Sequence, residues 1–182
     1  PGMLLIPSQS IGGDLIDFYP GMRGVPDRLG VMFADLSGHG VAGALLLMLF
    51  KALAGEVLRG GSGPASGMAE LNRRLAAEFP EGSFACATYL ELAAGSRTVH
   101  FVRGTQEPLL LLHADGSISE YTDGGTPLGM FAPDEPGGTG YALQEMTLAP
   151  GDTVLLYTDG VTEAVNPEQQ RFGSPALKAW LT

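Results

Sequence analysis

Gly30-Val31-Met32-Phe33-Ala34-Asp35-Leu36-Ser37-Gly38-His39-Gly40 is an apolar run that stops at one carboxylate, followed by a turn of small residues. Val41-Ala42-Gly43-Ala44-Leu45-Leu46-Leu47-Met48-Leu49-Phe50 comes directly after it, with no polar residue. The first run is short and flanked by glycine, which predicts a buried strand. The second is rich in alanine and leucine and predicts a buried helix. A lone charge at the end of a core strand is costly to hold, so Asp35 requires a cation, a set of hydrogen-bond donors or a metal. The other segments can be sorted by what they add to that carboxylate.

The 182 residues fit a single domain, 1–182, with room for a substantial core. The chain is 45% hydrophobic and 16% charged, with a formal net charge of -10. That charge argues against a nucleic-acid backbone or an anionic membrane as the main partner. It suits a site that gathers carboxylates around divalent cations, and it equally suits a surface kept acidic for solubility. Cys86 is the one cysteine, so no internal disulfide or cysteine zinc cluster can form; within Phe84-Ala85-Cys86-Ala87-Thr88-Tyr89 it reads as a small core residue. No signal-peptide layout opens the chain. Lys51 and Glu56 interrupt the apolar run after Val41 and leave it too short for a membrane span. A cytoplasmic location is the expectation.

Upstream of the opening stretch, Ile11-Gly12-Gly13-Asp14-Leu15-Ile16-Asp17-Phe18-Tyr19 sets Asp14 beside two glycines that let the backbone approach closely. Residues 20–28 form a hairpin-like connection. Downstream, 60–64 is a glycine-rich loop, and Met68, Leu71, Leu75 and Phe79 recur at helical spacing. Glu70, Arg73, Arg74 and Glu78 lie on the other side of that helix, and Pro80 ends it. From Ser83 the pattern changes to strands, over 84–92, 98–103, 109–113, 117–121, 141–148 and 153–157. Ala114-Asp115-Gly116 makes a hairpin turn, and irregular loops cover 124–129 and 137–140. Helices followed by a long run of strands predict an α+β layered domain.

Tyr157-Thr158-Asp159-Gly160-Val161-Thr162-Glu163-Ala164 repeats the logic of the opening stretch: a strand, one aspartate, a glycine, then a helix start. With Asp14 and Asp35, Asp159 completes an oxygen-only set of three carboxylates, suited to Mg²⁺ or Mn²⁺. Aspartates also end strands as turn formers and helix caps, and for each of the three that role stays open.

Gly12-Gly13-Asp14, Ala34-Asp35-Leu36-Ser37-Gly38-His39-Gly40, Gly125-Thr126-Pro127-Leu128-Gly129 and Pro150-Gly151-Asp152 occur in one order along the chain. Together with Leu156-Tyr157-Thr158-Asp159-Gly160-Val161-Thr162-Glu163-Ala164, they resemble the metal-dependent PPM (PP2C-like) serine/threonine phosphatases, in the bacterial RsbU/SpoIIE branch. The resemblance implies a β-sandwich flanked by helices, in α-β-β-α layers, around two Mn²⁺ or Mg²⁺ ions. It implies that Asp35 bridges both ions, that the Leu36 carbonyl is a further ligand, and that Asp14 and Asp159 each hold one ion. Water activated by the metals would attack phosphorus in line, without a phosphoenzyme. Substrates in this branch are small phosphoserine proteins of the anti-anti-sigma type. The domain is commonly joined to a receiver or other sensor domain, and members commonly form homodimers.

The chain departs from that pattern at three places. Arg103-Gly104-Thr105-Gln106-Glu107-Pro108 stands where the branch has an Asn-Ala-Gly-His type segment. Ser37 stands where eukaryotic relatives carry a histidine, and His39 falls two residues later, as a turn or helix-start residue. Against the family pattern the first strand and the closing strand with the final aspartate ligand are lacking, so an excised or incomplete segment is the expectation. These departures define a second hypothesis: a catalytically weak or inactive domain that binds proteins as an adaptor downstream of a receiver domain.

Overall fold

The computed structural model describes all residues except 1, 5, 7–11, 22–25, 39, 61–62 and 134. His39 therefore lies outside the described residues. The elements are β1 (Asp14–Pro20), β2 (Arg28–Leu36), α1 (Gly40–Arg59), α2 (Pro64–Glu78), β3 (Ala85–Ala93), β4 (Thr98–Gly104), β5 (Leu109–Leu112) and β6 (Ile118–Tyr121). They are followed by β7 (Gln144–Thr147), β8 (Thr153–Leu155), α3 (Asp159–Thr162) and α4 (Gly173–Leu181). The fold is α+β, with antiparallel sheets and helices, as the sequence pattern predicts. Two compact units divide it: Pro1–Gln106 with Gly124–Met146, and Glu107–Asp123 with Thr147–Thr182.

In the first unit five strands lie in the order β1-β2-β3-β4-β7. Alternation along each strand gives the sheet two faces. One carries Leu15, Tyr19, Met32, Ala34, Ala87, Tyr89 and Val102, which form a single core with Phe50, Ala54, Val57 and Leu58 of α1 and Met68, Leu71 and Leu75 of α2. Asp14 and Asp35 lie on the opposite face. The far end of β2 and β3 is pinned by a buried carboxylate: Glu91 accepts from Arg28 Nη1 at 3.2 Å and from the Tyr89 hydroxyl at 3.2 Å. Gly30 lies inside a strand because a Cβ there would meet the Tyr89 hydroxyl at 2.5 Å.

Helix α1 departs from the expected buried helix. Phe50, Ala54, Val57 and Leu58 face the sheet, while Val41, Leu45 and Met48 are exposed. Its 20 residues and mean hydropathy of 1.9 meet the length and composition of a membrane-crossing helix, against the expectation that Lys51 and Glu56 leave the run too short. Helix α2 matches its predicted spacing: Met68, Leu71 and Leu75 are buried, and Arg73 and Arg74 bind Glu70 on the outer side.

In the second unit three strands lie in the order β6-β5-β8. Leu110, Tyr157 and Leu177 of α4 form a small core, with Leu112, Ile118, Leu155 and Leu181 packed on it. Strand β8 is shorter and less buried than the apolar run predicts, ending at Leu155 with its residues exposed or half-buried.

Candidate metal centre

Asp14 opens β1 and Asp35 is the last residue but one of β2, and the antiparallel register sets them directly opposite each other. Directly paired residues share a face, with Cβ atoms about 4.5–5.5 Å apart. Both are half-buried. Like charges in that relation repel, and a cation held between them would offset that repulsion.

The backbone beside the pair is equally constrained. The Leu36 N–H donates to the Gly13 carbonyl at 3.2 Å. A Cβ at position 13 would lie 2.6 Å from the Leu36 carbonyl oxygen, so only glycine fits there. The two carboxylates and this carbonyl, at neighbouring backbone positions, are all oxygen donors, the chemistry that hard divalent ions select. The set fits such an ion. Among the described residues, no group of three or more His, Cys, Asp or Glu side chains is gathered at metal-binding range.

After Asp35 the chain is tied to β3. The Ser37 N–H donates to the Phe84 carbonyl at 2.9 Å, and the Phe84 N–H donates to Ser37 Oγ at 2.9 Å. Cys86 is the register partner of Asp35 on its other side. It is half-buried rather than in the core, because it points to the carboxylate face while Ala85 and Ala87 point to the helices. This neighbour of Asp35 was not legible from sequence, since only the strand register reveals it.

The loop Gly125-Thr126-Pro127-Leu128-Gly129 reaches the same end of the sheet. Leu128 and Ala85 exchange two backbone hydrogen bonds, of 2.8 and 2.9 Å, and Ala85 pairs with Leu36. Buried Asn72 of α2 clasps the loop's far end: its Oδ1 accepts from the Gly129 N–H at 2.8 Å and its Nδ2 donates to the Phe131 carbonyl at 3.1 Å. The Tyr141 hydroxyl donates to the Thr126 carbonyl at 3.1 Å, and burial pushes its pKa up to about 12. Asn72, Thr126, Phe131 and Tyr141 line a cleft of about 130 Å³.

Asp159 belongs to the second unit, where it is the first residue of α3 and exposed. Its carbonyl accepts from the Glu163 N–H at 2.6 Å, and the Glu163 carboxylate pairs with Arg171 at 2.9 Å. Asp17 lies on the helix face of β1 and pairs with Lys51 at 3.3 Å, which separates it from Asp14. His113 in the second unit contacts Ser119 Oγ at 2.7 Å and Asp152 at 3.6 Å. The Ala149 N–H, bonded to Asp152, holds that carboxyl below the usual range.

A family model described as Stage II sporulation protein E (SpoIIE) matches residues 26–182. The chain belongs to this family of PP2C-like phosphatase domains. It is 27% identical over 160 residues to the phosphoserine phosphatase RsbP of Bacillus subtilis, which spans 86% of this chain and 38% of that protein. The structure of the RsbU and RsbW domains of Rv1364c from Mycobacterium tuberculosis superposes with a TM-score of 0.74 at 26% identity, covering 93% of this chain and 44% of that one. The SiaA-PP2C domain of Pseudomonas aeruginosa shares the fold, with a TM-score of 0.79 at 23% identity over 96% of this chain and 67% of that one. The chain thus spans less than half the length of RsbP.

Proposed function

We propose that this chain is a metal-dependent protein-serine/threonine phosphatase of a bacterial signalling pathway, acting in the cytoplasm. Its substrate would be a phosphoserine or phosphothreonine on a small regulatory protein of the anti-anti-sigma type. The observation that carries this reading is the cross-strand pairing of Asp14 with Asp35 beside the Gly13–Leu36 backbone contact. Membership of the SpoIIE family and the likeness to a phosphoserine phosphatase support the same activity.

In this reading Asp14, Asp35, the Leu36 carbonyl and Asp159 hold Mn²⁺ or Mg²⁺. Bound divalent ions polarise a phosphoryl group and lower the pKa of water. The protein's own part is to fix the donors. The β1–β2 register sets the two carboxylates, the Gly13 contact sets the carbonyl, and the Ser37–Phe84 bonds hold the turn that follows. A receiver or sensor domain on the same polypeptide and a second copy of the chain are the partners we infer from the branch resemblance.

Hydrolysis of para-nitrophenyl phosphate with and without Mn²⁺, run beside Asp35→Asn, tests the reading. Activity that requires Mn²⁺ and falls at least about 100-fold in the variant is expected, since the substitution removes the charge that the ions require. A folded, Mn²⁺-saturated chain without activity would overturn it in favour of the adaptor.

A further inference from the structure

Helix α1 has two opposite faces. Phe50, Ala54 and Val57 hold it in the core, while Val41, Leu45, Met48 and Ala52 lie on the side turned away from the sheet. Val41 is 70% exposed, Leu45 67% and Met48 61%. At about 100° per residue, these four outward residues fall within about 60° of one another. Their spacing of four, three and four residues is that of the a and d positions of a heptad repeat. Gly55 continues the spacing, and Arg59, the next position, leans onto the Tyr19 ring, 5.4 Å from its centroid. Met48, Lys51, Ala52, Gly55, Glu56 and Arg59 line an open groove of about 580 Å³ along this face.

The charges beside this stripe say what covers it. With Leu45 and Ala52 at a, and Val41 and Met48 at d, Lys51 falls at g and Glu56 at e. Two such helices paired in parallel bring g of one beside e of the other, five residues on. Lys51 of each copy then meets Glu56 of the other, twice over by symmetry. Antiparallel pairing sets g beside g and e beside e, so lysine meets lysine and glutamate meets glutamate, like charges that repel. One heptad earlier the same two positions hold Ala44 and Leu49, which extend the apolar seam. Lys51 is 47% exposed beside Asp17, and Glu56 is 66% exposed beside Arg74, so both side chains are open to a neighbour outside the chain. The formal net charge of -10 argues against an anionic lipid surface as the cover.

We propose that the outer face of α1 is the interface of a parallel, two-fold homodimer. In it Val41, Leu45, Met48 and Ala52 pack against the same residues of a second copy, and Lys51 pairs with that copy's Glu56. This gives a surface and a direction to the second copy inferred from the branch resemblance, and it rests on that part of the proposed function alone. Its test reads mass rather than hydrolysis, so the interface and the catalytic reading fail separately.

Sedimentation equilibrium of the full chain over a wide range of concentration measures the dimer in wild type, Leu45→Glu, Lys51→Glu and the double variant Lys51→Glu with Glu56→Lys. Leu45→Glu should weaken the dimer at least about tenfold, because the seam would bury an unpaired charge. Lys51→Glu should weaken it a few-fold, and adding Glu56→Lys should restore it, since opposite charges face each other again. An antiparallel dimer would be indifferent to Lys51→Glu and would overturn the proposed direction. Cross-linking checks the direction independently of these charges. Val41→Cys and Met48→Cys, each in a Cys86→Ala background, should both give disulfide-linked dimers, because each d position meets its own counterpart in parallel pairing. Antiparallel pairing brings at most one of the two beside its counterpart. A wild type that stays monomeric, or a dimer that Leu45→Glu leaves intact, would overturn the interface. So would a monomer that floats with phosphatidylcholine vesicles and loses them in Leu45→Glu, which makes the face a lipid contact. A dimer that does not hydrolyse para-nitrophenyl phosphate would count against the phosphatase reading and leave the interface standing.

Discussion

A methyl group at position 13 would come within 2.6 Å of the Leu36 carbonyl oxygen, closer than unbonded atoms tolerate. Gly13→Ala should therefore force β1 and β2 apart beside the two aspartates, at a cost of about 1–3 kcal/mol. Thermal unfolding would show a lowered Tm, and the Tm rise on adding Mn²⁺ should shrink with it; an unchanged Tm would mean the contact relaxes freely. At this scale the sequence shows which residues are unusual and not which ones meet. An aspartate that breaks an apolar run stands out, so Asp35 was legible. Asp14 drew notice through its glycines, but its direct opposition to Asp35 depends on register, which a single strand does not specify. Cys86 was misplaced in the core for the same reason: one step of alternation decides which face a strand residue joins. Arg103 stood out as an unusual residue in its segment, and its burial on the carboxylate face came only from the fold.

The loop that ends at Gly129 connects elements that are distant in sequence. Asn72 spends both ends of its carboxamide on Gly129 and Phe131. Asn72→Ala leaves two backbone groups without these partners and should cost about 2–4 kcal/mol. A urea titration that shows no loss of stability would contradict the clasp. Tyr141 gives the same region a pH dependence. Burial raises its folded-state pKa from 10.0 to about 12, so the fold favours the neutral phenol. Its contribution is intact below pH 10 and is lost as pH rises through about 12. Tyr141→Phe should make Tm fall less steeply over that window than in wild type; parallel curves would show that Tyr141 does not set the alkaline limit. The elements themselves were largely readable, because strand alternation and the α2 spacing are local patterns. Helix α1 was not. A run with no polar residue looks buried on all sides, yet the sheet covers one face and leaves Val41, Leu45 and Met48 exposed.

Across the whole chain, the net charge of -10 and the carboxylate face bias the molecule toward binding cations. On the proposed reading the all-oxygen donors would select a hard ion, and an ion that binds only the folded chain must raise its stability. Asp159 entered the sequence-based ligand set through its motif, and it lies in the second compact unit as an exposed helix-start residue. The fold was legible because motif order and strand pattern span most of the chain. The third carboxylate's part is not legible there, because no local pattern ties Asp159 to residues so far away in sequence. Thermal unfolding with and without millimolar Mn²⁺, in wild type and in Asp35→Asn, tests the central claim most directly: that the Asp14–Asp35 pair is held together by a divalent cation. The account predicts a Tm rise of several degrees in wild type, about 2.7 kcal/mol at one hundred times Kd, and its loss in Asp35→Asn. An equal rise in both proteins, or none in wild type, would contradict it.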